Sequence, residues 1–169
     1  LALNPQGLVP ALTLPDGQTL GQSIALLEWL DEAYPEAALL PQDPTDRARV
    51  RSVVHNIACD IHPICNMAVT NYLQDRFSAR EADIIDWYTA WMHRGFIAIE
   101  RVLANNATPF SFGKQPGMAD VCLVPQMFNA RRFDIDLEPF PHIRRVVDHC
   151  NTVSAFIDAR PDNQPDASQ

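Results

Sequence analysis

Strand patterns are confined to the opening segment of the chain, and every later periodic segment is helical. A short apolar run over residues 8–14 is followed by the turn residues Pro-Asp-Gly at 15–17 and by a second short run through Leu20. This order predicts a hairpin. Two strands alone are marginal in water, and an apolar helix facing them needs more sheet to cover. We therefore expect that further strands of this sheet belong before Leu1.

Two residue pairs near this hairpin predict a binding edge for a small peptide-like anion. Pro10 lies within the first strand run; it has no N–H for a ladder and is expected on an edge, where Val9 keeps its N–H and C=O free for an extended ligand. Ser23 is an N-cap candidate whose hydroxyl and neighbouring helix N–H groups favour a carboxylate, and Gln22 offers an amide beside it. Each pair alone is also typical of a turn proline or a structural cap. Their spacing together favours binding.

The next helix and the segment behind it predict a domain boundary. Ile24, Leu27 and Leu30 recur at helical spacing, and Pro35 ends that helix. The stretch EAALLPQDPTD then breaks both helical and strand patterns with its prolines and acidic residues. We expect a linker here and a boundary near residue 40.

The rest of the chain carries helical stripes. A stripe beginning at Val50 continues to about Leu73, with a kink expected at Pro63, and a long helix is expected from about Arg80 to Ala104. The inward residues of the long helix are predicted to be Ile84, Ile85, Tyr88, Met92, Phe96, Ile99 and Leu103. Three later segments are also predicted to be helical: GMADVCLVPQMF, PHIRRVVDHCN and TVSAFIDAR.

Composition excludes several classes of function. The formal net charge is −8 and there is no run of Lys or Arg, which argues against a nucleic-acid surface or an anionic membrane partner. No apolar stretch approaches the roughly 20 residues that cross a bilayer, and there is no signal peptide pattern, so a cytoplasmic protein is expected. The four cysteines lack a CxxC pair, which predicts buried free thiols rather than a metal site or disulfides: Cys59, Cys65, Cys122 and Cys150.

Several segments together resemble the zeta class of glutathione transferases, the family of maleylacetoacetate isomerase and maleylpyruvate isomerase. They are NPQGLVPAL, GQSIALLEWLDE, LLPQDPTDRARVR, ACDIHP, GMADVCLVPQMFNARRF and NQPD. The resemblance implies an α+β fold, with a partial thioredoxin-like domain followed by an all-α helical domain, and a homodimer. It places the C-terminal part of the glutathione-binding domain at 1–36, a linker at 37–43, the helical substrate-binding domain at 44–160 and a tail at 161–169.

The same resemblance assigns roles in glutathione binding to the opening residues. Val9 would pair its backbone with the cysteinyl part of glutathione, with Pro10 in the cis form. Gln22 and Ser23 would hold the γ-glutamyl carboxylate. These roles agree with the binding edge predicted from the residues themselves.

In the helical domain the resemblance implies substrate contacts from His62, Asn66 and Arg132, the last binding a substrate carboxylate. Arg131 varies among relatives. Where many bacterial relatives carry an arginine for a second carboxylate, this chain has Ala68, which puts diacid specificity in question. The residues Met118, Ala119 and Asp120 match a helix-nucleating motif, and Cys65 is expected to be a packed or pocket-lining thiol.

The implied activity is glutathione-dependent cis–trans isomerisation of maleylacetoacetate or maleylpyruvate, in the catabolism of aromatic amino acids or aromatic compounds. The family's catalytic serine is expected upstream of Leu1, so no catalytic residue is assigned in this chain, and the chain alone is expected to be inactive. Two alternatives stay open: a glutathione transferase acting on small α-halo acids, and a non-catalytic binding module.

Overall fold

A computed structural model describes residues 3–165 and residue 167 of the chain. These residues form two compact units, one ending at Arg47 and the other beginning at Ala48. Within the described residues both strands belong to the first unit, and the second unit is helical. Every helix among them is too short or too polar to span a lipid bilayer.

The first unit contains the hairpin that the sequence predicts. Strand β1 (Ala11–Thr13) pairs antiparallel with strand β2 (Thr19–Gly21). Gly17 in the turn lies at a φ of 86°, which suits glycine because it has no Cβ, and its N–H donates to the Leu14 carbonyl at 2.9 Å. β1 begins only after Pro10, so the prediction that this proline lies inside the strand is wrong. Because proline lacks an N–H, the ladder starts one residue later.

Helix α1 (Ser23–Ala33) follows the hairpin, and a buried carboxylate ties it to the segment behind it. Asp31 accepts hydrogen bonds from the N–H groups of Leu39 and Leu40 at 2.7 and 2.9 Å and pairs with Arg47 at 3.2 Å. Burial of a carboxylate is tolerated when charged and backbone donors satisfy it. The segment that the sequence predicts as a linker is therefore anchored to α1 within the first unit.

The second unit is built from helices of unequal length. Helix α2 (Pro44–His55) leads into it and continues as a π-helical segment, Asn56–Ile61, hereafter the π turn. The later helices are α3 (Met67–Phe77), α4 (Glu81–Ala104), α5 (Met118–Arg132), α6 (Pro141–Cys150) and α7 (Ser154–Asp158). Both α4 and α5 contact the π turn and α6. The long helix and the three later helices that the sequence predicts are thus present.

The core of the second unit lies along α4. The residues predicted to face inward are buried, except Ile85, which is half-buried. At the start of α5 the buried carboxylate of Asp120 accepts from the N–H groups of Gly117 and Ser111, each at 2.9 Å. The Asp120 carboxylate thus supplies one half of a capping box, since Gly117 has no side chain to supply the other, and it joins the preceding loop to the helix.

One predicted helix is wrong in its extent. The stripe expected to continue with a kink to about Leu73 is interrupted over residues 62–66. Pro63 cannot donate a helical hydrogen bond, and the chain leaves the helix rather than bending through it. A new helix starts where the Asn66 side chain accepts from the Ala68 N–H at 2.8 Å. The substrate residues expected on one helix therefore lie on a turn, hereafter the 62–66 turn.

Candidate functional site

A loop organised by Asn4 leads into the first group of predicted site residues. The Asn4 side chain donates to the Leu8 carbonyl at 2.7 Å and accepts from the Gln6 N–H at 3.1 Å. Gly7 adopts a φ of 66° in this loop and donates to the Asn4 carbonyl at 2.8 Å. The loop delivers Val9 to the surface just before β1.

Val9 presents both its side chain and its backbone to solvent. Its exposed fraction is 92%, and neither its N–H nor its C=O bonds to any residue that the structure describes. The Val9–Pro10 peptide bond is cis, which confirms the isomer that the resemblance implied. A donor and an acceptor on one exposed residue can pair with the backbone of an extended peptide.

Gln22, not Ser23, is the N-cap of α1, so the predicted cap is wrong. The β2 ladder ends at Gly21, and the chain turns into the helix at Gln22, with φ 69° and ψ 114°. A positive φ is unfavourable for a residue with a side chain and is typical of functional sites. The Gln22 amide donates to the Gln6 side-chain oxygen at 2.9 Å, which connects this turn to the loop before Val9.

The N-terminus of α1 carries unpaired donors. The first helical bond runs from the Leu26 N–H to the Gln22 carbonyl at 3.0 Å, and the N–H groups of residues 23–25 have no partner among the described residues. The Ser23 hydroxyl is likewise unpaired there, and the first turn contains no acidic residue. Free N–H groups and the helix dipole together favour a bound anion.

The structure thus brings Val9, Gln22 and Ser23 into one small unit, linked by residues that sequence reasoning missed. Asn4 and Gln6 hold the loop and the helix start together through the hydrogen bonds given above. Their signal in the sequence is Asn-Pro-Gln-Gly, a typical turn sequence. The sequence indicates this turn, but it does not indicate that Gln6 bonds to Gln22, 16 residues later.

His62 and Asn66 occupy the two ends of the 62–66 turn. The His62 N–H donates to the Ile57 carbonyl at 2.8 Å, and its exposed ring has no partner in the described part of the chain. The Asn66 oxygen is engaged in capping α3, whereas its amide nitrogen bonds to none of the described residues. The ring of His62 and the amide nitrogen of Asn66 are thus the groups free to meet a ligand.

Arg132 ends α5 and is exposed. Its guanidinium lies 5.7 Å from the centroid of the Phe133 ring and pairs with no carboxylate among the described residues. The Phe133 ring packs on Tyr88 at 4.3 Å, and the Tyr88 hydroxyl lies 3.4 Å from that of Thr70 on α3. The rings of Phe133 and Tyr88 therefore lie between this arginine and α3, the helix that Asn66 caps.

A shallow cavity of about 500 Å³ lies beside the other arginine. Arg131 and Arg144, which line it, pair with Asp148 at 3.0 Å and Glu138 at 2.6 Å. It contains none of the substrate residues predicted from the sequence.

Comparison with known proteins identifies the family. A family model described as the glutathione S-transferase N-terminal domain matches residues 1–33. The maleylacetoacetate isomerase of Pseudomonas aeruginosa is 45% identical over 166 residues, which cover 98% of this chain and 77% of that protein. A solved maleylpyruvate isomerase, described as a bacterial glutathione transferase of the zeta class, is 48% identical with a TM-score of 0.95, covering 99% of this chain and 79% of that one. The chain belongs to this zeta-class family.

Membership of the zeta class confirms the predicted fold class, a thioredoxin-like part followed by a helical domain. A second zeta-family structure bears on the ligand. The maleylacetoacetate isomerase of Anaeromyxobacter dehalogenans, solved with glutathione in its active site, is 42% identical with a TM-score of 0.90, covering 99% of this chain and 77% of that one. The roles assigned to individual residues of this zeta-class chain stay predictions.

Three of the cysteines of this zeta-class chain, Cys65, Cys122 and Cys150, are not activated nucleophiles. Burial raises the pKa of the thiols of Cys65 and Cys122 to about 11. The pKa of Cys150 rises to about 12, because of burial and because Asp120 lies 3.8 Å from its sulfur. All four cysteines are free, and only Cys59 is exposed. A thiolate nucleophile at neutral pH is therefore not supplied by these buried residues.

Proposed function

We propose that this protein is a glutathione-dependent cis–trans isomerase of small carboxylates with a conjugated double bond, namely maleylacetoacetate or maleylpyruvate. The observation that carries the proposal is the unpaired N-terminus of α1 beside the exposed backbone of Val9. Together they match the carboxylate and the peptide backbone of glutathione. Family membership supplies the reaction, since the relatives are named as these isomerases.

Each residue of the first unit would hold one part of glutathione. The N–H and C=O of Val9 would pair with its cysteinyl residue, as in strand addition. The Ser23 hydroxyl and the free N–H groups of α1 would hold the γ-glutamyl carboxylate, with the Gln22 amide beside them. Apart from the Gln22 amide, which also donates to Gln6, the described residues leave these groups unpaired.

Bound glutathione would supply a thiol whose reversible addition turns the cis double bond into a rotatable single bond. The residues of the second unit would orient the substrate and offset charge. Arg132 would hold a carboxylate and stabilise negative charge developing on the conjugated carbonyl. His62 and Asn66 would add polar contacts. We assign no residue of this chain to activation of the thiol.

Ala68 favours a second candidate, transfer of glutathione to small α-halo acids. It is exposed on α3, two residues after Asn66, and offers no charge for a second carboxylate. With Arg132 as the cation for a single carboxylate, a monoacid would be bound as well as a diacid.

The deciding experiment uses protein produced from its complete reading frame. We expect glutathione-dependent conversion of maleylpyruvate or maleylacetoacetate to the trans isomer, monitored by absorbance, with no conversion when glutathione is omitted. Halide release from chloroacetate in place of isomerisation would favour the transferase. Retention on immobilised glutathione without turnover of any of these substrates would favour the non-catalytic module.

We also propose a homodimer in the reducing cytoplasm. Four free cysteines support a reducing compartment. Exposed apolar side chains on α3, Met67, Tyr72 and Phe77, are candidates for burial against another subunit. Light scattering coupled to gel filtration should give twice the monomer mass, and a monomer mass would refute the dimer.

A further inference from the structure

Helix α4 touches the segment that carries His62 on both sides of that residue. On one side Gly95 meets Ile61, the residue before His62. On the other side Trp87 bonds to Ile64, two residues after His62. Neither α4 residue is among the predicted substrate contacts.

Gly95 allows an approach that any side chain would block. A Cβ built on Gly95 would lie 2.3 Å from Cδ1 and 2.4 Å from Cγ1 of Ile61, and 3.0 Å from the Asn56 side-chain oxygen. Ile61 is fully buried, so an added Cβ would push its side chain against other core residues and not into solvent. Glycine in a helix interior is destabilising relative to alanine, and the close approach gives its physical reason. The π turn can pack this closely against α4 because residue 95 has no Cβ.

Trp87 holds the other side of the 62–66 turn. Its indole N–H donates to the Ile64 carbonyl at 3.0 Å. The carbonyl lies in the stretch after Pro63 where the helical pattern is interrupted, so a side chain takes the place of a helical donor. The Trp87 ring is in turn braced by Trp91, with ring centroids 5.7 Å apart.

We propose that Gly95 and Trp87 are positioning residues that fix the 62–66 turn and thereby the substrate contacts of His62 and Asn66. The proposal rests on the proposed function of that turn. π-Helical segments are frequent at functional sites. Here the π turn ends at the residue before His62. The distance between Ile61 and Gly95 therefore sets the position of His62.

Gly95→Ala tests the first contact, and Gly113→Ala is its matched control, because a Cβ at Gly113 meets nothing within 4 Å. We expect Gly95→Ala to raise the KM for the carboxylate substrate about tenfold, since small misplacements at a site are costly, while the Kd for glutathione is unchanged. Gly113→Ala should alter neither. Adding Ile61→Ala to Gly95→Ala removes the clashing atoms and should restore part of the loss.

Amide hydrogen exchange gives a readout that needs no turnover. In Gly95→Ala the N–H groups of His62 and Cys65, which bond to Ile57 and Ile61 at 2.8 and 3.0 Å, should exchange at least tenfold faster. The Asn151 N–H after α6 should keep its rate. An equal acceleration at all three amides would show a purely structural role and overturn the proposal.

Trp87→Phe keeps an aromatic ring and removes only the indole donor. This variant therefore tests the proposal even if Gly95→Ala does not fold. We expect faster exchange in the 62–66 turn and a raised substrate KM, with Trp91→Phe near wild type. Unchanged exchange and KM in Trp87→Phe and Gly95→Ala would refute the proposal. A wild-type protein without isomerase activity would refute the proposed function instead. The amide exchange rates of the variants would then be the test of whether Gly95 and Trp87 fix the 62–66 turn.

Discussion

Arg131 and Arg132 are adjacent and both exposed, yet they have different partners. Arg131 pairs with Asp148 at 3.0 Å, whereas Arg132 lies over Phe133 and has no carboxylate partner among the described residues. An exposed ion pair contributes little to stability, and an unpaired exposed arginine contributes less. At the scale of single residues, Arg131 therefore forms a surface ion pair, whereas Arg132 is a cation available to a ligand.

Arg132→Ala should lower kcat/KM for carboxylate substrates about ten- to hundredfold, the range expected for loss of a hydrogen-bonded charge. The midpoint of thermal unfolding should stay close to wild type, because the side chain is exposed. Arg131→Ala is the matched control and should leave turnover nearly unchanged. A parallel loss of activity and stability in Arg132→Ala would make this arginine structural.

Ser23→Ala should weaken glutathione binding by about 1 to 2 kcal/mol, because a charge-assisted hydrogen bond to the carboxylate is lost. Calorimetric titration with glutathione measures this change. Ser52→Ala removes the hydroxyl of an exposed serine on α2 and serves as the control. The backbone donors of α1 stay in place, so binding should be reduced rather than abolished. Equal affinity in both variants would contradict the carboxylate role of Ser23.

At the scale of elements, helix starts decide where the site residues lie. Helix periodicity predicted the α4 range to within a residue, because an apolar stripe is a local property of the sequence. It failed between α2 and α3, where the stripe continues but Pro63 and the Asn66 cap interrupt the helix. It also placed the cap of α1 one residue late, because the positive φ of Gln22 depends on the preceding strand. Local signals compete at element ends, and tertiary contacts decide between them.

Asp120 illustrates an element start that stabilises the second unit. Asp120→Ala would leave the buried Ser111 N–H and the Gly117 N–H without an acceptor and should cost about 3 kcal/mol in the free energy of unfolding. Asp83→Ala removes a similar capping carboxylate at the exposed start of α4 and should cost much less. Denaturant unfolding measures both changes. Comparable losses would show that burial of the cap does not matter.

At the scale of the whole molecule, burial makes three of the four cysteine thiols unreactive by raising their pKa. Iodoacetamide at pH 8 should modify Cys59 alone in the folded protein, because the pKa of each of the other three thiols is raised to about 11 or 12, which keeps it protonated at pH 8, and none of the three is exposed. All four should react in denaturant. Mass spectrometry of the digested protein reads out the sites.

The variant Cys59→Ser should keep glutathione-dependent turnover, because the reacting thiol would belong to glutathione. Loss of turnover in this variant, with glutathione affinity preserved, would place a protein thiol in the reaction. Rapid alkylation of Cys65 in the folded protein would contradict its burial instead.

Periodicity and turn residues by themselves determined the hairpin, the long helix and the later helices, because each of these patterns lies within one short segment of the chain. Only the tertiary structure decided which arginine is unpaired, how the Asn4 loop reaches Gln22, and how deeply the π turn packs against Gly95. Those features depend on residues far apart in the chain, and no local pattern records the distance at which their side chains meet.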